Sequence, residues 1–326
     1  MALNLPKVSI LVLSLFVVNP FLLVEPRASE DSPHPFTKTL HTLEGVHKGQ
    51  KMKGVAELKT YLRKFGYLKN DKNNSSNDHF DENVESALKN YQTYHNLRIS
   101  GEVNAETIER MSLPRCGVPD IITHGNPNGL VILANYSFFP GSPKWGDSKR
   151  ALTYAFVSSA GVSLSMDDVR LAVNRAFKSW SQVTDFTFTE RGSEDDQVDI
   201  VVGFHSGDHG DGYPFDGPGQ VLAHTFAPQD GRLHYDADEQ WTTSPAGQSG
   251  GLEGNSWWWR RRRRVRPRKP TSIDLETVAL HEIGHVIGLG HSSVSGSVMF
   301  PTYAGVRRDL TQDDVDGIKA LYESSN

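Results

Sequence analysis

The chain has 326 residues, a formal net charge of −5, 37% hydrophobic residues and a single cysteine. That length accommodates two modest domains with a sizeable core, and the acidic balance excludes an overall nucleic-acid footprint. One cysteine excludes an intramolecular disulfide framework.

At the N-terminus, Lys7 precedes an apolar run from Val8 to Val18, which Asn19-Pro20 interrupts before Phe21 to Val24. A run so short and broken reads as a signal peptide over residues 1–28, not as a membrane span. No second apolar segment follows and no hydrophobic tail ends the chain, so the expectation is a secreted protein without a membrane anchor. Residues 29–47 read as a polar linker. Beyond it, Val55, Leu58, Leu62 and Phe65 recur at helical spacing, as do Val84, Ala87, Leu88, Tyr91 and Tyr94. A third short helix is predicted to start at Asn104 and carry Ile108 and Met111. The first domain, residues 48–120, is therefore expected to be a three-helix bundle. Asn73, Asn74 and Asn135 lie in glycosylation sequons.

A Pro/Gly/Asn-rich connection over 121–147 leads to a second domain, residues 148–326. Its predicted elements are a strand at Leu152–Phe156, a helix at Met166–Val183 capped by Ser165, and strands at Phe186–Thr189 and Val198–Phe204. A long Gly/Asp-rich loop, Gly207 to Gly219, precedes strands near Val221–Phe226 and Leu233–Asp236. A helix after Asp274 and a last one over Gln312–Tyr322, capped by Thr311 with Asp314, complete an α+β pattern. One segment fits none of this. Gly251 to Lys269 holds Trp257-Trp258-Trp259 and then eight positive charges between Arg260 and Lys269. It reads as an error of the gene model, the other reading being a disordered surface loop.

The most informative stretch is His281-Glu282-Ile283-Gly284-His285, continued to Gly288 and His291. Residues four apart share a helix face, so His281 and His285 can present two imidazoles to one metal ion. Gly288 stands where the helix must stop, and His291 returns as a third nitrogen ligand. Three ligands with one open position describe a catalytic zinc rather than a structural one. Glu282, beside the first ligand, is placed to handle the proton of an activated water. Met299 follows at a tight turn as an apolar floor. A single cysteine, Cys116, in a secreted chain asks for an explanation, and a metal offers one.

Farther upstream, His209, Asp211, His224 and His234 make a closed set of four ligands suited to a structural zinc. Asp216, Asp236 and Glu239, with carbonyls of Gly217, Gly219 and Val221, offer the oxygen-rich shell that calcium prefers. The strand carrying Leu222 and Ala223 can align an extended peptide by edge pairing.

Together with Pro114-Arg115-Cys116-Gly117-Val118-Pro119-Asp120, Tyr136-Ser137-Phe138-Phe139, Leu152-Thr153-Tyr154-Ala155-Phe156 and Leu310-Thr311-Gln312-Asp313-Asp314, these motifs give the chain its family likeness. It resembles the matrix metalloproteinases (matrixins, of the metzincin clan), and especially the compact plant type without a C-terminal hemopexin propeller. The resemblance implies a metzincin catalytic domain, a twisted and mostly parallel sheet with three helices, behind a small helical-bundle pro-domain of peptidoglycan-binding type. It implies a secreted zinc endopeptidase of the apoplast or extracellular matrix. In the family the cysteine closes the fourth zinc position of a latent zymogen, which assigns that role to Cys116. It implies two zinc ions and one or more calcium ions, and a specificity pocket lined by Pro301 and Tyr303. A further family calcium site would use Asp199, although Arg232 stands where an acid is expected. Protein or peptide substrates, no nucleic acid and a monomeric state complete the expectation. The reading from another class is a catalytically impaired or polysaccharide-binding extracellular protein, against which the intact ligands and Glu282 argue.

Overall fold

The computed structural model describes residues 34–69, 77–121, 135–158, 161–192, 197–244 and 272–323. The signal peptide, the sequons at Asn73 and Asn74, residues 122–134 of the 121–147 connection and the Gly251–Lys269 segment lie outside the described residues. Among those described, no helix is long and apolar enough to cross a membrane.

Four helices form the N-terminal bundle: α1 Pro35–Thr42, α2 Val55–Lys64, α3 Glu82–Tyr94 and α4 Ala105–Met111. The expected start signals act as such. The Asp81 carboxylate accepts from Val84 N at 3.0 Å, and Asn104 Oδ1 accepts from Thr107 N at 2.9 Å. Helical spacing then turns Leu58, Leu62, Val84, Leu88, Tyr91 and Met111 into one buried core. Helix α1 corrects the expectation of three helices behind a polar linker. Its own residues are largely polar, but Leu40 and, just past its end, Leu43 and Val46 are buried in the bundle, and Phe36 stacks on Tyr61 at 4.9 Å. Those few apolar side chains, at a spacing of three, suffice to dock an element too short to show a long periodic pattern.

The second domain supplies β2 Ala151–Ser158, β3 Thr187–Glu190, β4 Ile200–His205, β5 Val221–Thr225 and β6 Arg232–Asp236 of a six-stranded sheet, and the cysteine segment of the first adds β1 Arg115–Cys116, in the order β1-β5-β6-β4-β2-β3. Every neighbouring pair is parallel except β5 and β6, which run antiparallel. Helix α5, Met166–Ser181, makes the crossover that a parallel β2–β3 pair requires. Two residues each of β7, Trp241–Thr242, and β8, Ile273–Asp274, pair just ahead of α6, Leu275–Val286, and α7, Gln312–Tyr322, closes the chain. The mostly parallel sheet with three helices agrees with the expected α+β architecture.

Helix α6 is buried along its whole length, which positions the site. Trp180 on α5 donates its indole N–H to Leu280 O at 2.8 Å, and Trp145 donates to Val286 O at 2.9 Å. Both indoles thus tie α6 into the core while satisfying their own polar atoms. Gly284 permits a close approach. A Cβ there would overlap Met299 Sδ and meet Trp180 Cζ2 at 3.0 Å. Gly288 ends the helix in the left-handed region, φ 109°, as the motif requires.

Candidate metal centre and active site

Four side chains converge in the core: Cys116 from β1, His281 and His285 from α6, and His291 from the turn beyond Gly288. Their ligand atoms lie within 4.8 Å of one another. His281 Nδ1 contacts Val298 O and His285 Nδ1 contacts Leu289 O, each at 2.7 Å. A carbonyl can only accept, so both Nδ1 atoms carry the proton and both Nε2 lone pairs face inward. Those two Nε2 atoms stand 3.1 Å apart, and Cys116 Sγ is 3.5 Å from His285 Nε2. His291 Nε2 has no hydrogen-bond partner among the described residues.

Burial explains the ionisation of this group. It lowers His281 to about 3, with the nearby His291 as the second cause, and lowers His285 and His291 as well, so all three imidazoles are neutral at neutral pH. Burial and then the Glu282 carboxylate push the Cys116 thiol well up. Two inward lone pairs, a third imidazole whose nitrogens have no hydrogen-bond partner and a thiol with a single proton, all buried together, are an unfavourable arrangement unless a cation sits among them. Nitrogen and sulfur donors in this number suit zinc.

Glu282 is fully buried beside the cluster, and burial pushes its carboxyl up to about 7. Its Oε2 accepts from Thr225 Oγ1 at 2.6 Å. Thr225, at the end of β5, belongs to no motif read from the sequence. Its role depends on a strand and a helix meeting.

Met299 lies under the cluster, buried against Gly284. Its turn is fixed from α7, where Asp314 accepts from Val298 N at 3.0 Å and from Met299 N at 3.1 Å. The same Asp314 closes the predicted capping box with Thr311. One carboxylate therefore starts the last helix and holds the carbonyl that orients His281.

Leu222, Thr277, Val278, Val298, Pro301 and Tyr303 line a small cavity adjoining His281 and Glu282. Across it runs the cysteine segment. Arg115 N donates to Gln220 O at 2.8 Å, Gly117 N to Ala223 O at 2.8 Å, Cys116 N to Pro301 O at 3.0 Å, and Tyr303 N to Pro114 O at 2.8 Å. Strand β1 thus bridges the β5 edge and the Pro301–Tyr303 wall.

The second group is equally compact. Asp211 Oδ2 lies 2.9 Å from His209 Nε2, 2.8 Å from His224 Nε2 and 2.9 Å from His234 Nδ1. Burial lowers His234 to about 4 and also lowers His224, so a single carboxylate oxygen faces a cluster of basic nitrogens, the donor set of a tetrahedral cation site.

Nearby, burial pushes the Asp236 carboxyl up to about 7, and its Oδ2 is buried without a hydrogen-bond partner. Asp216 accepts from Val221 N at 3.0 Å, and Glu239 Oε1 accepts from Gly219 N at 2.5 Å. Gly217 and Gly219 both have positive φ, 77° and 100°, which turns the loop around these acids. A buried carboxylate oxygen without a partner fits a hard cation such as calcium. Asp199 lies elsewhere, beside the start of β2. Its carboxylate pairs with the Lys149 ammonium and accepts from Thr153 N at 2.9 Å.

Residues 144–323 match the family model described as matrixin, and residues 51–111 match that of a peptidoglycan binding domain. The chain is 42% identical over 291 residues to metalloendoproteinase 5-MMP of Arabidopsis thaliana, covering 87% of this chain and 75% of the relative. With metalloendoproteinase 1 of Glycine max it shares 37% identity over 301 residues, 91% of either chain. With matrilysin of Rattus norvegicus the identity is 36% over 276 residues, covering 83% of this chain and 86% of the relative. The family implies zinc and calcium. A helical N-terminal domain, a mostly parallel sheet and a buried histidine cluster on α6 accompany these matches, and the chain belongs to the matrixin family of zinc metalloendopeptidases.

Proposed function

We propose that this chain is a secreted matrixin made as a latent zymogen, in which Cys116 closes the catalytic metal site and leaves it when the pro-domain is cut away. The observation that carries this reading is the position of Cys116 Sγ among the three imidazoles, with all ligand atoms within 4.8 Å. Residues 1–28 are the leader, 48–120 the pro-domain, 121–147 the region to be cut and 148–326 the catalytic domain, acting on extracellular proteins. Family membership and the complete ligand set weigh against a purely polysaccharide-binding protein.

His281, His285 and His291 would hold the catalytic zinc, with Cys116 as fourth ligand in the latent form. When bound, zinc acidifies a water molecule and polarises the peptide carbonyl. Glu282 takes the proton of the attacking water and returns it to the leaving nitrogen, and a carboxyl near 7 suits both transfers. Thr225 fixes the carboxylate through its hydroxyl. The β5 edge at Leu222 and Ala223, which β1 now occupies, aligns the substrate backbone, and the cavity beside Tyr303 takes a substrate side chain. His209, Asp211, His224 and His234 hold a structural zinc, and Asp216, Asp236 and Glu239 with the Gly217, Gly219 and Val221 carbonyls hold calcium.

Cys116→Ser tests the latency reading. A neutral hydroxyl is a far weaker zinc ligand than a thiolate. The full-length variant should cleave a generic peptide without prior treatment, in a chelator-sensitive manner. Full latency of the serine variant would overturn the reading.

A further inference from the structure

We propose that Asp120 is a positioning residue for His291, so that the cysteine segment grips the metal site at two points, the Cys116 thiol and the Asp120 carboxylate. This rests on the reading that Cys116 closes the site in the latent chain.

The three imidazoles are anchored unequally. His281 and His285 are oriented by Val298 O and Leu289 O, both groups of the catalytic domain itself. His291 is oriented from the pro-domain side. Its Nδ1 lies 2.9 Å from Asp120 Oδ1 with both side chains fully buried, a close polar contact outside hydrogen-bond geometry, and neither ring nitrogen has a hydrogen-bond partner among the described residues. Asp120 is itself held from several directions. Arg115 Nη2 is 2.5 Å from Oδ1, Tyr67 OH donates to Oδ2 at 2.7 Å, and His95 Nε2 lies 3.6 Å from Oδ2. The Arg115 guanidinium in turn lies over the Phe65 ring, 3.4 Å from its centroid. The buried Arg115 guanidinium supplies the counter-charge for this carboxylate where it faces His291.

A carboxylate this close to Nδ1 favours the ring proton on that nitrogen and leaves the Nε2 lone pair for the cluster. A carboxylate in this position also raises the basicity of the ligand, and losing such a partner typically weakens metal binding about 10–100-fold. Arg115, Cys116 and Asp120 sit on one short segment. When that segment leaves, His291 loses its anchor at the moment the fourth ligand departs, whereas His281 and His285 keep theirs. Opening the site therefore also loosens its third ligand.

The experiment uses the full-length chain loaded with cobalt(II) in place of zinc. Ring N–H protons of cobalt-bound imidazoles give separate, strongly shifted exchangeable resonances, and a bound thiolate gives a charge-transfer band. The latent chain should show three slowly exchanging N–H protons, and the chain cleaved free of its pro-domain should show two. Asp120→Asn should hold cobalt about tenfold less tightly against a competing chelator. Tyr67→Phe removes a different bond to the same buried carboxylate and should leave that affinity unchanged, which separates positioning from general stability. Two slowly exchanging protons in the latent chain, or wild-type affinity in Asp120→Asn, would overturn the proposal. If Asp120→Asn does not fold, the proton count on the unsubstituted chain decides alone. A thiolate band accompanied by two protected protons refutes the Asp120 role only. Three protected protons without the band refute the Cys116 reading and leave Asp120 standing.

Discussion

Thr225 donates its hydroxyl proton to Glu282 Oε2 across 2.6 Å, joining the end of β5 to the zinc helix inside the core. The bond fixes one carboxylate oxygen, while the other, Oε1, is buried with no hydrogen-bond partner among the described residues. Glu282→Gln keeps the shape of the side chain and removes its proton chemistry. Turnover should fall about 10²–10⁴-fold while zinc content stays at the wild-type level. Thr225→Val removes the donor and leaves the buried carboxylate short of a partner, a loss of about 1–3 kcal/mol in stability. Peptide hydrolysis, metal analysis and thermal unfolding of both variants check these outcomes. A glutamine variant retaining more than half of wild-type kcat contradicts the assignment.

His224→Ala should cost the domain about one zinc equivalent per chain and destabilise it, because a structural zinc contributes its binding energy to folding. The motive is Asp211 Oδ2 at 2.8–2.9 Å from three histidine nitrogens, a donor set that suits a cation at its centre. Metal analysis of purified wild type and variant decides it. Equal zinc in both would remove the structural site.

Gly284→Ala places a methyl group into Met299 Sδ and against Trp180 in a region without spare volume. Overpacking of this kind costs about 1–3 kcal/mol. The variant should show a lower Tm than wild type under saturating zinc. If the two Tm values coincide, Met299 is not held against the helix as described.

Asp199 supplies a pH test. Burial raises its carboxyl, but Lys149 and the Thr153 N–H and hydroxyl outweigh this and hold it below its ordinary value of 3.8. A group depressed in the folded state contributes stability above the unfolded pKa and loses it as pH falls through the folded value. The Tm difference between wild type and Asp199→Asn should therefore be steady from about pH 5 to 7 and shrink below about pH 4. Added calcium should not change it, since an ammonium already pairs with this carboxylate. A calcium-dependent difference would place Asp199 among the calcium ligands.

What the sequence determined by itself is what short-range geometry controls. The spacing of His281 and His285 on one helix, Gly288 as its stop, the caps at Asn104, Ser165 and Thr311, and the alternating strands are all set by neighbours a few residues away. The ligand sets were legible for a related reason, since metal chemistry restricts which residue types can occupy those positions. Only tertiary structure decided the rest. Helix α1 has too few apolar residues to announce itself and exists because the bundle core accepts Leu40 and Leu43. Thr225 reaches Glu282 from 57 positions away, and Asp120 meets His291 only when the cysteine segment lies across the β5 edge. Burial shifts the Glu282 carboxyl and keeps the imidazoles neutral, and burial is a property of the whole packed core that no local motif carries.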